Sequence, residues 1–389
     1  MSEPPSRLPR NVKLLGLASL LNDIASDMVF PLLPEFLVKV LRGNELHLGV
    51  IEGLADSVSS IVKLWSGGRS DQGGRRKGFI VFGYSLAALA RPLIGLTAWA
   101  WQLGVLRVMD RLGKGVRSAP REAMIADSTA PQMRGRAFGF DRAMDHLGAA
   151  IGPLLAFWFL LIWPDHLATL FLLTLVPGAV VVALLLVGLS EPPALEPPRE
   201  RVRLTLKPFD RDFRLFLLAL VVFTLGNSSD AFLLWRAREL GVPAYQLPVL
   251  WCLFHIVKSL SNIGLGRGVD RFGPRLFIFS GWLLYAAVYL AFGLATEAWQ
   301  VWGLFLTYAL FYGLTEPAEK TLVAQLVGQQ RKGLAFGWYN FAIGIATLPA
   351  SALFGALYYW FGPLVAFGWG AGLALLAVGL LTMVREPRE

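Results

Sequence analysis

Apolar stretches of roughly twenty residues recur from one end of the chain to the other, separated by short polar segments. A helix of that length rises about 30 Å, enough to cross the hydrocarbon core of a bilayer. The pattern predicts twelve membrane helices, at 13–40, 46–66, 78–98, 100–122, 136–161, 167–189, 213–238, 246–266, 276–296, 299–323, 334–358 and 363–384. Basic residues sort by loop. Arg7, Arg10 and Lys13 precede the first span, and Arg69, Arg75, Arg76 and Lys77 lie between the second and third. Arg134 and Arg136 separate the fourth and fifth, and six more basic residues from Arg199 to Arg214 separate the sixth and seventh. Arg267, Arg271 and Arg275 follow the eighth, Arg331 and Lys332 follow the tenth, and Arg385 and Arg388 close the chain. The alternate loops hold almost none, with Arg42 the clearest exception. Cytoplasmic loops carry the Lys/Arg excess, so both termini are expected in the cytoplasm and the number of spans is even.

Composition agrees with the pattern. The chain is 55% hydrophobic and 16% charged, against about 25% charged in a soluble domain. A net charge of +9 finds its first explanation in the loop bias rather than in nucleic acid. The single cysteine, Cys252, leaves no internal disulfide, and the four histidines show no metal-ligand spacing. No cofactor or metal is expected. The first apolar stretch is too long for a cleavable signal and is expected to stay as a membrane helix.

The proline-rich, charged stretch EPPALEPPRERVRLTLKP (191–208) reads as a cytoplasmic linker. The expected organisation is an N-terminal cytoplasmic segment (1–12), a six-helix bundle (13–189), the linker (190–212), a second six-helix bundle (213–384) and a short tail (385–389). The bundles resemble each other. Pro120-Arg121-Glu122 and Pro317-Ala318-Glu319 sit 197 residues apart, and Ala137-Phe138-Gly139 and Ala335-Phe336-Gly337 sit 198 apart. Gly67…Asp71…Gly74 and Gly266…Asp270…Gly273 sit 199 apart, and Asp27 in span one roughly corresponds to Asp230 in span seven. A repeat of this period in a polytopic chain is characteristic of secondary transporters.

These residues carry a family likeness. Gly67-Gly-Arg-Ser-Asp71-Gln-Gly-Gly74-Arg75-Arg76 resembles motif A of the major facilitator superfamily, G-x-x-x-D-x-x-G-R-R/K, with a decayed copy from Gly266 to Arg275. Leu103-x-x-x-Arg107-x-x-Asp110-Arg111-Leu-Gly113-Lys114-Gly115 is similar to motif B, with Asp110 where Gln is usual and Arg111 in place of the first Gly. Gly148-x-x-x-Gly152-Pro153 resembles the core of the antiporter motif C. The run DRLGKGVRSAPRE (110–122) with the following RGRAFGFDRAMD resembles a bacterial permease subgroup whose substrate the likeness does not supply. The resemblance implies an all-α integral membrane fold of twelve helices in two pseudo-symmetric bundles. It also implies that Arg107 takes part in coupling, and that Asp71 of motif A latches the halves against span eleven.

The charged run 110–122 belongs to span four rather than to a loop. A phosphate-binding loop would need glycine at position 108, where Val108 stands. Arg107, Asp110, Arg111, Lys114, Arg117 and Arg121 recur at helical spacing and share one stripe. Each central Arg or Lys facing lipid costs about 2.5–3.5 kcal/mol, so five cations would cost more than about 12 kcal/mol. The stripe is therefore expected to face a water-filled cavity or acidic partners. Acids stand in pairs four residues apart: Asp23 with Asp27, Glu52 with Asp56, and Asp141 with Asp145. That spacing puts two carboxylates on one helix face, and crowding in a low-dielectric site favours the protonated form of one of them. These six are the candidate proton carriers, and Arg107, Asp110, Arg111, Lys114, Arg117, Asp230 and Asn340 are candidates for the substrate cavity. A salt-bridge network that merely neutralises itself is the alternative, above all for Lys63, Arg121 and Glu122 near the cytoplasm. Gly148, Gly152, Gly337 and Gly344 are expected to permit close helix contact.

The expected function is a proton-coupled secondary transporter that moves a small organic solute across a bacterial inner membrane by alternating access, leaning to efflux by antiport. A proton-linked importer of an organic anion is the alternative within the class, and a non-transporting membrane sensor the alternative outside it. No nucleophile or metal cluster points to an enzyme. The cationic stripe suggests an anionic or zwitterionic cargo; the other partners expected are protons and the lipid bilayer, with no nucleic acid and a monomeric state.

Overall fold

The computed structural model describes residues 8–73, 76–129, 134–191, 206, 209–327 and 332–385, and no strand occurs among them. α1 (Arg10–Val29) passes through a 3-10 turn at Phe30–Leu32, which contains Pro31, into α2 (Leu33–Lys39). Then follow α3 (Glu45–Gly73), α4 (Lys77–Ile94), α5 (Ala100–Asp127), α6 (Arg134–Ile162), α7 (Leu167–Leu173) and α8 (Leu175–Gly188). The second half holds α9 (Arg211–Gly226), α10 (Ala231–Glu239), α11 (Leu247–Phe272), α12 (Pro274–Leu294), α13 (Ala298–Val327), α14 (Lys332–Phe361) and α15 (Pro363–Thr382). Counting α1–α2, α7–α8 and α9–α10 as one span each gives the twelve that the hydrophobic pattern predicts.

Eight helical stretches among the described residues are long and apolar enough to cross a membrane. The remaining four spans are α3, α5, α11 and α13. They are more polar because they carry the intramembrane charges and polar side chains, which need protein or water around them rather than lipid. Two helices outlast their apolar stretch: α3 continues to Gly73 and α11 to Phe272, beyond the expected ends near 66 and 266. Hydropathy ends with the hydrocarbon, whereas backbone hydrogen bonding continues into the polar interface. Span seven is not continuous. α9 ends at Gly226 and α10 begins at Ala231, so Asn227, Ser228, Ser229 and Asp230 form a non-helical break inside the span. Irregular backbone at membrane depth is tolerated where it is buried in protein or lines an aqueous space.

The chain forms two compact units. The first comprises residues 1–36, 58–200 and 244–252, and the second 37–57, 201–243 and 253–389. Relative to bundles at 13–189 and 213–384, the first half of α3 and the start of α11 each join the other unit. In the second unit α3 packs closely on α14. A Cβ at Gly53 would lie 3.0 Å from the Leu348 carbonyl, and Ser57 Oγ donates to the Gly344 carbonyl at 3.0 Å.

Within the first unit α1 lies along α6 and α4 along α5. A Cβ at Gly148 would sit 2.6 Å from the Leu20 carbonyl oxygen, and one at Gly152 would sit 2.5 Å from that of Ile24. Bare backbone at both positions is what lets α6 approach α1. Gly337 differs from the expectation for it: a Cβ there would meet nothing within 4 Å. The second unit is bound by an aromatic core in which Phe223 stacks on Trp282 at 4.8 Å and Tyr285 on Tyr289 at 4.0 Å. Such pairs contribute about 0.5–1.5 kcal/mol beyond area burial, in a setting where lipid supplies no hydrophobic drive between helices.

Candidate functional site

The polar residues of the first unit fall into three groups. The first is a buried triad. Asp110 on α5 pairs with Arg91 Nε on α4 at 2.9 Å and with Arg107 Nη1, one turn away, at 3.3 Å. Arg91 Nη1 also donates to the Asn22 carbonyl at 2.8 Å and to Asn22 Oδ1 at 3.0 Å. Asp110 is 1% exposed and Arg107 3%, so the motif B residues meet protein rather than open space. Charge spacing does not mark Arg91, yet a lone arginine in the apolar run SLAALARPLIGL is signal enough.

The second group is built on Arg121. Its Nη2 reaches Asp141 Oδ2 at 2.9 Å and Asp145 Oδ2 at 3.5 Å. Its Nη1 donates to Ser19 Oγ and, at 3.2 Å, to Tyr84 OH. Ser19 Oγ donates onward to Asp145 Oδ1 at 2.5 Å, and Arg142 Nη1 lies 3.3 Å from Asp145 Oδ2. The Asp141–Asp145 pair is thus neutralised by arginines. Arg117, 5% exposed, lies over the Tyr84 ring at 4.5 Å. Nearer the end of α5, Lys63 and Glu122 form a half-exposed pair at 3.7 Å, which is worth little.

The third group surrounds the other acid pair. Asp23 and Asp27 on α1 are half-buried, and among the described residues no cation lies within ion-pair distance of either. Asp23 accepts from Asn22 Nδ2 at 2.8 Å, and its Cβ lies 2.9 Å from where a Cβ on Gly148 would stand. Asp27 accepts a hydrogen bond from Trp251 Nε1 at 3.0 Å. The Trp251 ring packs on Phe30 at 4.8 Å, and the Arg107 and Arg111 guanidinium groups lie 5.6 and 5.9 Å from the Phe30 ring centre. The α5 stripe is therefore divided. Arg107, Asp110 and Arg117 are buried, Arg111 is half-buried and Lys114 exposed. Trp251 is absent from the candidates because nothing local marks one tryptophan among thirteen.

The second unit holds the other polar cluster. Asp230, in the break of span seven, accepts from Tyr308 OH at 2.8 Å and from Tyr312 OH at 3.1 Å. Tyr285 OH donates to the Gly226 carbonyl at 3.0 Å, and Ser228 Oγ and Tyr289 OH share a hydrogen bond at 3.1 Å. Four tyrosines thus satisfy the backbone and side chains that the break releases. Their spacing, 285 with 289 and 308 with 312, was visible as two i,i+4 pairs but reads as packing. Lys258 Nζ lies 2.9 Å from Glu316 Oε1 and 3.7 Å from the centre of the Tyr312 ring. Glu52 is buried and Asp56 half-buried in this same unit, and Asp56 lies near enough to Asp230 to act on its charge. Asn340 is exposed and its Nδ2 donates to the Phe336 carbonyl one turn earlier, at 2.7 Å.

Of the remaining motif residues, Gly67 lies within α3 and Arg76 Nη1 pairs with Asp127 Oδ2 at 2.7 Å. Gly74 and Arg75 lie outside the described residues, as does the side chain of Asp71. Pro153 lies inside α6, one residue past the close approach at Gly152.

The chain matches the family model of the Major Facilitator Superfamily over residues 15–318 and 215–389. It is 31% identical over 390 residues to an uncharacterized MFS-type transporter of Methanocaldococcus jannaschii, across 98% of this chain and 96% of the relative. It is 25% identical over 329 residues to the multidrug resistance protein MdtH of Photorhabdus laumondii, across 82% of this chain and 79% of the relative. The crystal structure of the nucleoside transporter NupG superposes with a TM-score of 0.82 at 10% identity, across 97% of this chain and 100% of that one, a likeness of fold alone. Twelve helical spans, a repeated half and intramembrane charge clusters accord with these matches: the chain belongs to the major facilitator superfamily and is a multi-pass membrane transporter, not an enzyme.

Proposed function

We propose that this transporter couples the movement of a small organic solute to protons by alternating access, exporting its solute by antiport. The proposed setting is a bacterial inner membrane, with both termini cytoplasmic and the protein acting as a monomer. The single observation that carries the reading is the sorting of the acid pairs. Asp141 and Asp145 are held by the guanidinium of Arg121. Asp23 and Asp27 are half-accessible at membrane depth and are held by neutral donors, Asn22 and Trp251. A carboxylate in such a place is stabilised by taking a proton and charged again by releasing it. Its neighbour Gly148 ties that event mechanically to α6. Export is favoured by the segment Gly148–Pro153, which resembles the antiporter motif, and by the likeness to multidrug resistance proteins. Import of an organic anion is the second reading, favoured by Arg111 and Lys114 on the more accessible side of α5.

The test is transport in proteoliposomes across a panel of solutes, with a pH gradient imposed in each direction. The wild type is expected to accumulate or expel a solute against its gradient when protons flow the opposite way. Asp27→Asn is expected to lose gradient-driven movement by at least about tenfold while keeping solute exchange at equal pH, since only the proton-carrying group is removed. An Asp27→Asn protein with an unaltered pH profile would remove that carboxylate from coupling.

A further inference from the structure

The polar cluster of the second unit has a feature that a self-neutralising network would not have. Asp230 is half-buried within a membrane span, and among the described residues no cation lies within ion-pair distance of it. Its two oxygens are held by phenol groups, Oδ1 by Tyr308 at 2.8 Å and Oδ2 by Tyr312 at 3.1 Å. Lys258 acts on the charge of Asp230 but does not pair with it. It reaches Glu316 at 2.9 Å, and Asn262 Nδ2 holds the other Glu316 oxygen at 3.2 Å. Its Nζ also rests on the face of Tyr312, 3.7 Å from the ring centre. A Tyr312 ring hydrogen-bonded through its hydroxyl to a carboxylate is electron-rich, which strengthens the attraction of its face for a positive charge.

We infer that Lys258 is the built-in occupant of a cation-binding subsite, and that the face of Tyr312 between Asp230 and Glu316 accepts the positively charged head of an organic solute when Lys258 swings away. The chemistry narrows the class. Both Asp230 oxygens already accept hydroxyl protons, and one Glu316 oxygen accepts from Asn262. The site therefore recognises charge and a ring face more than it asks for hydrogen-bond donors. A strongly hydrated ion such as sodium would lose more water than a phenol face returns. A weakly hydrated cation, quaternary or delocalised, loses little on entry. The subsite is therefore suited to monovalent organic cations without N–H donors. Lys258 competes as a tethered ligand at high effective concentration, which excludes weak binders and keeps Glu316 paired when no solute is bound. This inference rests on the transport reading only in calling the ligand a solute to be moved.

The test uses the purified full chain in detergent, with radiolabelled tetraphenylphosphonium as probe and tetraphenylborate, of the same shape and opposite charge, as control. Lys258→Gln is expected to bind tetraphenylphosphonium about tenfold tighter than wild type, because the tethered competitor is gone while Glu316 keeps Asn262. Asp230→Asn preserves an acceptor for both tyrosines and is expected to bind at least about tenfold more weakly, as is Tyr312→Leu. Tyr312→Phe keeps the ring but loses the hydroxyl bond to Asp230, and is expected to bind more weakly than wild type and more tightly than Tyr312→Leu. Tetraphenylborate should not distinguish Lys258→Gln from wild type. Equal or weaker cation binding in Lys258→Gln, in protein that elutes as a single folded species, overturns the inference, and so does a Tyr312→Leu protein that binds like wild type. Binding in detergent needs no gradient, so the two readings fail separately. A subsite that binds as expected in a protein that moves nothing in proteoliposomes leaves the inference standing and removes the transport mechanism. Proton-linked movement with no effect of Lys258→Gln on cation binding does the reverse.

Discussion

Replacing Asp110 with alanine is expected to destabilise the protein by about 3–5 kcal/mol, the range seen when one member of a buried ion pair is removed and its partners are stranded. The partners here are two. Arg91 and Arg107 are both within ion-pair distance of the one carboxylate, and both lie at membrane depth with little exposure. Alanine leaves two guanidinium groups facing each other without the charge that held them. The wild-type triad already carries one excess positive charge, which Arg91 shares with the carbonyl and side-chain oxygen of Asn22. The expected readout is a large fall in the thermal midpoint of the detergent-purified protein, or loss of a monodisperse species. Adding Arg91→Met to Asp110→Ala should recover a good part of the loss, because an apolar side chain in that position needs no partner. Failure of the second substitution to recover anything would show that Asp110 serves the fold through some contact other than Arg91. Asp110→Asn keeps an acceptor but not the charge and should fall between wild type and alanine.

Adding a side chain at Gly152 should be nearly as damaging. A methyl group there would stand 2.5 Å from the Ile24 carbonyl oxygen and 3.1 Å from its Cα. Both are backbone atoms of a long helix and cannot rotate aside. The helices must separate along their whole contact, and overpacking of this kind costs about 1–3 kcal/mol even for a single small group. Gly152→Val should exceed Gly152→Ala, and Gly148→Ala should resemble the latter because Leu20 and Asp23 approach equally closely. Gly337→Ala is the control: with nothing within 4 Å of its Cβ, it should leave stability unchanged or raise it through helix propensity. Thermal midpoints measured side by side decide the matter. Equal effects at Gly152 and Gly337 would mean that the close approach of α1 and α6 is not what the glycine provides. Gly148 carries a second consequence. Because it abuts the Cβ of Asp23, its substitution should alter the pH dependence of transport as well as stability, if that acid pair carries the proton.

The number of spans was legible in the recurring twenty-residue segments, because the bilayer imposes one length on every polytopic helix, and the loop charges supplied the expected alternation. The pairing of carboxylates at four-residue spacing was equally legible, since it is a property of a single helix. What each pair does was not. Asp23–Asp27 and Asp141–Asp145 look alike in one dimension, but Arg121, with Arg142, neutralises the latter, and the former is left to Asn22 and Trp251. Helical periodicity tells which face a residue occupies but not which helix lies across from it. The decisive partners come from 224 residues away for Trp251 and Asp27, and 82 for Tyr312 and Asp230. The break at Asn227–Asp230 had the same origin. Gly-Asn-Ser-Ser weakens a helix locally, but the break is held open because Tyr285 of α12 donates to the freed Gly226 carbonyl and Tyr308 of α13 donates to the Asp230 carboxylate. Architecture was thus determined by the solvent that every span shares. The site was decided by contacts between helices, because the charge state and accessibility of a buried carboxylate depend on what the fold places beside it.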